Sequence, residues 1–164
     1  MRSRQQRNRL LILFGVLLLL QFYVRPRLWN GAAAPDFLVL GLLIYAMRSR
    51  PGNAAVAGLL VGRLSDALTP ARFGAGALAH TVVGYLASWG RLVFFADNLV
   101  ASMGIIFVGV WLRNLIVLFA SGLGPGTALM DLGVWSPLQG LTTAVAGAVI
   151  LVFVHEWLEA RHRE

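Results

Sequence analysis

The sequence predicts an all-α integral membrane protein, a six-transmembrane-helix bundle that forms a single polytopic domain. Two observations support this prediction: 58% of the 164 residues are hydrophobic while 13% are charged, and the apolar residues fall into six runs. Soluble domains are roughly 45–50% apolar and about 25% charged, so this chain has too little polar surface to coat a water-soluble globule. Six spans of about 20 residues leave roughly 40 residues for loops and ends, which excludes a sizeable extramembrane domain.

The apolar runs give the predicted spans in chain order. The first run follows a basic start and could also be a secretory signal peptide, but the arginines after it and the membrane-like remainder of the chain favour a retained span. The second run is short enough to be either a full span or a re-entrant segment. The predicted spans cover about residues 9–24, 35–47, 53–68, 73–90, 98–120 and 137–158.

The placement of the arginines predicts the topology. All 14 basic residues are arginine, and they do not gather into one patch, which argues against nucleic acid as a partner. With the N- and C-termini both cytoplasmic, nine arginines lie on the cytoplasmic side and three on the opposite side, in agreement with the positive-inside rule. The other two, Arg63 and Arg113, lie inside predicted spans. The chain has no cysteine, which excludes disulfides and thiolate catalysis.

Small residues recur at helical spacing in the third and fourth predicted spans. Gly58 and Gly62 are four residues apart, and Ala77 and Gly84 lie along one stripe of the next span. Helices associate in membranes mainly where small side chains let the backbones approach. The pattern therefore predicts close helix packing within the bundle, or alternatively a face kept for the transmembrane helix of a partner.

Several ionisable or polar residues lie inside the predicted spans. Such a residue near the bilayer centre costs about 2.5–3.5 kcal/mol on insertion scales, so it normally faces protein or water and finds a partner. The topology places most of them in the outer third of the bundle. There we expect Arg113 to be neutralised by Asp66 or Asp36. The alternative for Arg63 is that its side chain extends to the membrane interface. We interpret them as a buried polar network that either fixes helix register or recognises a ligand or partner. Its predicted members are Asp36, Arg63, Asp66, His80, Arg113 and Asn114.

The sequence offers no convincing catalytic or metal-binding pattern. His80 has no serine or cysteine nucleophile at motif spacing, and His155 and Glu156 lack the second histidine of a metalloprotease helix. Glycines 122, 124 and 126 superficially suggest a phosphate loop, but Pro125 interrupts them. We therefore expect no enzymatic activity, no cofactor and no metal ion.

Two stretches carry a resemblance to a known family. These are GLLVGRLSDAL at residues 58–68 and FGAGALAHTVVGYL at residues 73–86, preceded by a Pro-Asp pair at residues 35–36. Together they resemble the rod shape-determining protein MreD family, in which a Gly-x-x-x-Gly-x-x-x-Asp helix is followed by a short turn and a second small-residue helix. The detailed resemblance extends over about residues 35–91.

This resemblance implies a non-catalytic, multi-pass protein of the bacterial inner (cytoplasmic) membrane. Such a protein acts in the cell-elongation machinery (the elongasome), where it scaffolds or regulates peptidoglycan synthesis along the side wall. The implied partners are MreC and, through it, MreB, RodA and a penicillin-binding protein, besides membrane lipid. The family is also similar in fold to the substrate-binding components of energy-coupling-factor transporters, which leaves a small-solute-binding transport component as the alternative function.

Overall fold

The computed structural model describes residues 12–28, 31–68, 74–94, 98–122 and 129–159. These residues include six helices and no β-strand, which confirms the all-α prediction. The helices, numbered in chain order, are α1 (12–24, ending in the π-helical turn Leu20–Val24), α2 (Phe37–Ala46), α3 (Pro51–Leu68), α4 (Ala75–Phe94), α5 (Leu99–Ala120) and α6 (Ser136–Glu159). A second π-helical turn, Asp131–Trp135, leads into α6.

Side-chain caps fix where two of these helices begin. The carboxylate of Asp36 accepts hydrogen bonds from the backbone N–H groups of Leu38 and Val39 at the start of α2. Asn98 accepts one from Val100 at the start of α5. The first N–H groups of a helix have no intrahelical partner, so these caps satisfy donors that would otherwise be unpaired.

The end of α1 departs from a regular α-helix. After the π-helical turn Leu20–Val24 the chain forms the 3₁₀ turn Arg25–Arg27, which contains Pro26. Proline has no backbone N–H and cannot continue a helix, so the chain turns here. The side chain of Gln21 accepts a hydrogen bond from the backbone N–H of Phe37, at 3.0 Å, and this bond joins the end of α1 to the start of α2.

The short helix α2 lies at the centre of the bundle. Nine of its ten residues are buried, and α2 contacts α3, α4, α5 and α6 as well as the π-helical turn of α1. Ten residues at about 1.5 Å each extend roughly 15 Å, half the thickness of the hydrocarbon core of a bilayer. The segment predicted over residues 35–47 is therefore a buried core helix that is too short to cross a bilayer by itself.

The helices α3 and α4 pack with their backbones in contact. A methyl group placed on Gly62 would lie 2.5 Å from both the Cα of Ala77 and the carbonyl oxygen of Gly76, and one on Gly58 would overlap the carbonyl group of His80. Gly84 approaches the carbonyl oxygen of Ala54 in the same way. The structure thus places the predicted packing residues Gly58, Gly62, Ala77 and Gly84 at the contact between α3 and α4.

The exterior of the bundle is apolar, and two helical segments in the described part of the chain are long and apolar enough to cross a membrane. These segments, Leu99–Ala120 and Asp131–Phe153, qualify by length and composition. Large apolar side chains such as Leu60 and Trp89 are more than half exposed. Exposed apolar surface of this kind marks a membrane or protein contact. We therefore expect this surface to contact lipid or another protein rather than water.

Candidate functional site

Five polar residues meet where α1, α2, α5 and α6 come together, and we call them the polar cluster: Arg25, Asp36, Arg113, Asn114 and Gln139. Asp36 lies at its centre and is 2% exposed. One carboxylate oxygen caps α2, and the other lies 3.6 Å from a guanidinium nitrogen of Arg25 and 3.8 Å from one of Arg113. A single buried carboxylate therefore pairs with two guanidinium groups.

A chain of hydrogen bonds extends the polar cluster from α5 to α6. The guanidinium of Arg113 donates to the side-chain oxygen of Asn114 at 2.8 Å, and the Asn114 amide donates to the side-chain oxygen of Gln139 at 2.7 Å. Gln139 in turn donates to the carbonyl oxygen of Ala34 at 3.4 Å. These three hydrogen bonds thus run in one direction, from Arg113 on α5 through Gln139 on α6 to the segment before α2.

Two threonines of α6 form hydrogen bonds with the segment before α2. The backbone N–H of Asp36 donates to the hydroxyl of Thr143 at 3.1 Å, and the hydroxyl of Thr142 donates to the carbonyl oxygen of Ala33 at 2.7 Å. These bonds satisfy backbone groups of a non-helical segment inside the protein, which apolar surroundings could not do. They hold the start of α2 against the middle of the bundle.

Asp66 lies outside the polar cluster and has a different role. Its carboxylate accepts three backbone hydrogen bonds, from Gly74 at 3.0 Å, Gly76 at 2.8 Å and Ala77 at 2.9 Å. Of the two partners predicted for Arg113, the structure therefore selects Asp36, and Asp66 instead caps the start of α4. A carboxylate at a helix N-terminus also interacts favourably with the helix dipole.

We expect Asp66→Asn to lower the free energy of unfolding by about 1–2 kcal/mol, the usual size of a lost cap. The amide retains one acceptor oxygen, while its NH₂ group faces N–H donors and cannot accept their hydrogen bonds. Thermal unfolding of the purified protein in detergent measures the change. The matched control is Asp131→Asn, which removes a carboxylate that accepts no backbone hydrogen bond among the described residues; equal midpoints for the two variants would contradict the cap.

His80 is buried near the start of α4 but is not hydrogen-bonded to the polar cluster, which corrects the prediction that it belongs to that network. Its ring Nδ1 lies 2.7 Å from the carbonyl oxygen of Gly76, and because a carbonyl only accepts, Nδ1 carries the proton. The other ring nitrogen, Nε2, has no hydrogen-bond partner among the described residues. This hydrogen bond to a residue four positions earlier in α4 orients the imidazole ring of His80 along its own helix.

Arg63 is also outside the polar cluster, and the prediction that it belongs to the network is wrong. It is exposed, and no ion pair involving it occurs in the described part of the chain. The reason is its position on α3: successive residues of an α-helix are about 100° apart, so when Gly62 contacts α4 its neighbour points away. Its placement fits the alternative in which Arg63 extends to the interface.

Two members of the polar cluster, Arg25 and Gln139, were not identified from the sequence. Arg25 lies just beyond the first apolar run, where an arginine is expected to be solvated, and the turn at the end of α1 brings it to Asp36. Gln139 carries a sequence signal, because Gln139, Thr142 and Thr143 lie at i, i+3 and i+4 spacing on one face of α6. A polar stripe on an otherwise apolar helix indicates a buried partner.

A cavity of about 210 Å³ adjoins the polar cluster. Four members of the cluster line it, together with residues of the segment before α2, of α5 and of the turn that leads into α6. The lining residues are Arg25, Gly31, Ala32, Arg113, Asn114, Val117, Leu118, Asp131, Leu132, Trp135, Ser136 and Gln139. No group of three or more histidine or acidic residues that could hold a metal ion occurs in the described residues.

The all-helical fold, its apolar exterior and its internally paired charges define a small membrane-associated helical bundle. Comparison with known families places it more narrowly: residues 1–158 match the model of the rod shape-determining protein MreD. The chain belongs to the MreD family, a membrane-associated, structural family that determines rod shape. This confirms the family predicted from residues 35–91. No curated protein and no solved structure gave a significant match.

Proposed function

We propose that this protein is a non-catalytic scaffold or regulator of the bacterial cell-elongation machinery. It supports side-wall peptidoglycan synthesis by binding MreC in the inner membrane and, through MreC, the actin-like MreB and the synthase pair of RodA and a penicillin-binding protein. The match of residues 1–158 to the MreD family carries this proposal. The apolar exterior and the close packing of α3 and α4 suit a rigid membrane body on which a partner assembles.

The proposed arrangement in the membrane has six crossing segments with both termini cytoplasmic. The polar cluster joins the end of α1, the start of α2 and the first half of α6, while the hydroxyl of Ser88 near the end of α4 donates to the carbonyl oxygen of Ser49 after α2. The ends of α2 and α4 therefore lie together, away from Asp36. Arg48 and Arg91 flank this second junction in sequence, as expected for the cytoplasmic side.

The short helix α2 fits this arrangement because it is surrounded by protein. The non-helical segment before it, residues 31–36, is buried in part and hydrogen-bonded to α6. Irregular backbone is tolerated at membrane depth where protein covers it. We propose that this segment and α2 together complete the second crossing, and that the polar cluster lies beneath the periplasmic surface that MreC contacts.

Co-purification from membranes with tagged MreC tests the proposed function. We expect the wild-type chain to be recovered with MreC, and Arg113→Leu to reduce recovery several-fold because it leaves the buried Asp36 with one cation fewer and removes a donor to Asn114. The matched control is Arg63→Leu, which removes an exposed arginine outside the polar cluster. Recovery of Arg113→Leu equal to wild type, with an unchanged thermal midpoint, would contradict the role of the cluster.

The alternative is a small-solute-binding component of a transporter, and the cavity of about 210 Å³ beside the polar cluster is the observation that favours it. Pockets for drug-sized ligands usually measure about 300–1,000 Å³, so this cavity is small for a vitamin-like ligand. The co-purification experiment separates the two functions, because a transport component is recovered with an energising ATPase rather than with MreC.

A further inference from the structure

An apolar groove of about 520 Å³ lies between α4 and α5. Val83, Ala87 and Gly109 in its floor are buried, whereas Trp89 and Val108 at its rim are 55% and 56% exposed. The indole of Trp89 is the one side chain in its lining that carries a polar atom. Apolar cavities exclude water, and an unfilled one loses the dispersion contacts of its walls. In a membrane this groove is therefore filled by hydrocarbon.

The length of the groove favours an acyl chain over a helix of another protein. Along α5 its lining begins at Ala101 and ends at Leu112, which is roughly 16 Å at about 1.5 Å per residue. One leaflet contributes about half of the ~30 Å hydrocarbon core. A partner's transmembrane helix continues across both leaflets, whereas an acyl chain ends within one. The groove thus has the length of a single leaflet.

Two glycines widen the groove without serving the packing of the described chain. A methyl group placed on Gly104 of α5 or on Gly90 of α4 would meet no atom within 4 Å, and both glycines line the groove. This distinguishes them from Gly62, where the backbone of α4 occupies the space. Larger side chains at these two positions would enter the groove rather than the protein core.

Arginines lie at the end of the groove near the start of α5. Arg91 directly follows the lining residue Gly90. The hydrogen bond from Ser88 to Ser49 joins α4 to the turn that contains Arg48. Desolvation and the positive charge of Arg91 lower the pKa of Arg48, so the two guanidinium groups lie close enough to repel. Neither forms an ion pair within the part of the chain that the structure describes.

Positive charge remains in excess at this end of the protein when every acidic residue is counted. The proposed topology puts nine arginines on the cytoplasmic side, against four acidic residues, which are Asp97, Glu156, Glu159 and Glu164. Pairing each carboxylate with an arginine still leaves unpaired guanidinium groups, which suit phosphate oxygens. Trp89 at the same end of the groove marks the depth of lipid headgroups.

We propose that this groove holds an acyl chain of an anionic phospholipid of the cytoplasmic leaflet, such as phosphatidylglycerol, with the lipid phosphate next to Arg91 and Arg48. The lipid fills the space that α4 and α5 leave open and offsets the repulsion between the two arginines. The proposal rests on the membrane orientation proposed above but not on binding to MreC.

Native mass spectrometry of the full chain in detergent, titrated with phosphatidylglycerol or with the zwitterionic phosphatidylcholine, tests the acyl-chain site. We expect Gly104→Leu to weaken retention of both lipids several-fold, because the leucine side chain occupies the groove. Gly90→Leu fills the groove from α4 and should act in the same way, so the test does not depend on one variant folding. Gly52→Leu is the matched control, since a methyl group at Gly52 also meets no atom within 4 Å, and it should bind as wild type does.

The headgroup contact has its own variant. We expect wild type to prefer phosphatidylglycerol, and Arg91→Gln to lower retention of that lipid by up to about fivefold, the size of an exposed ion pair, while retention of phosphatidylcholine is unchanged. Arg63→Gln is the control and should keep the wild-type preference. An Arg91→Gln variant that prefers phosphatidylglycerol as strongly as wild type would overturn the proposed headgroup site.

A protein occupant gives a different result. If both leucine variants keep wild-type lipid retention but lose co-purification with MreC, the groove takes a partner's helix and the proposal is wrong. Wild-type lipid retention by both variants, or an equal loss in Gly52→Leu, would also overturn it. Because the lipid titration contains no partner protein, failure of the wild-type chain to recover MreC would leave its outcome unaffected.

Discussion

Replacing Asp36 with asparagine is expected to lower the free energy of unfolding by about 3 kcal/mol. Breaking a buried ion pair by removing one partner costs roughly 3–5 kcal/mol because the remaining charge is uncompensated, and here two guanidinium groups lose the same carboxylate. Their partial exposure places the effect at the lower end of that range. Asparagine retains an oxygen that can cap α2, so the change tests the charge rather than the shape of the residue.

Thermal unfolding in detergent measures this effect. A loss of about 3 kcal/mol corresponds to a fall in the midpoint of roughly 6–12 °C for a chain of this size. Asp131→Asn is the matched control, because Asp131 lines the adjoining cavity without an ion pair among those found in the described residues. Adding Arg113→Gln to Asp36→Asn should restore part of the stability, since it removes one of the stranded cations. A midpoint for Asp36→Asn equal to that of wild type would refute the shared ion pair.

The second large effect is expected for Gly62→Ala in α3. The added methyl group would lie 2.5 Å from the Cα of Ala77 and from the carbonyl oxygen of Gly76, and both atoms belong to the backbone of α4. Backbone atoms cannot change rotamer to make room, so the two helices must separate. We expect a loss of about 3 kcal/mol, the upper part of the usual range for overpacking.

Gly52→Ala is the matched control on the same helix. A methyl group at Gly52 meets no atom within 4 Å, and alanine has the higher helix propensity by up to about 1 kcal/mol. The same substitution is therefore expected to be neutral or stabilising at residue 52 and strongly destabilising at residue 62. Similar thermal midpoints for the two variants would show that α3 and α4 are not in the close contact described.

Much of the fold could be predicted because its signals are local. Six apolar runs predicted six helices, and Gly58, Gly62 and Gly84 predicted a close helix contact because their spacing puts small residues on one face. A boundary shifted where backbone chemistry intervened: the cap formed by Asp36 sets the start of α2 two residues after the predicted start.

The candidate site could be predicted only in part. Asp36 and Arg113 were identified as one of two possible pairs, and Asn114 as a member of the network. Asp66 could not be recognised as the cap of α4 without knowing that the turn at Gly74 folds back over it. His80 and Arg63 were misplaced because charge or polarity within an apolar run does not show which way the side chain faces.

The sequence by itself determined the helical class, the family and the existence of charges that need partners, because each of these depends on residue composition and on spacing along one segment. The tertiary structure alone decided which charges meet. Pairing between Arg25, Asp36 and Arg113 depends on how far each helix is rotated about its axis and displaced along it. Those rotations are set by contacts between different helices, such as the packing of α2 against α5 and α6, and no single segment contains that information.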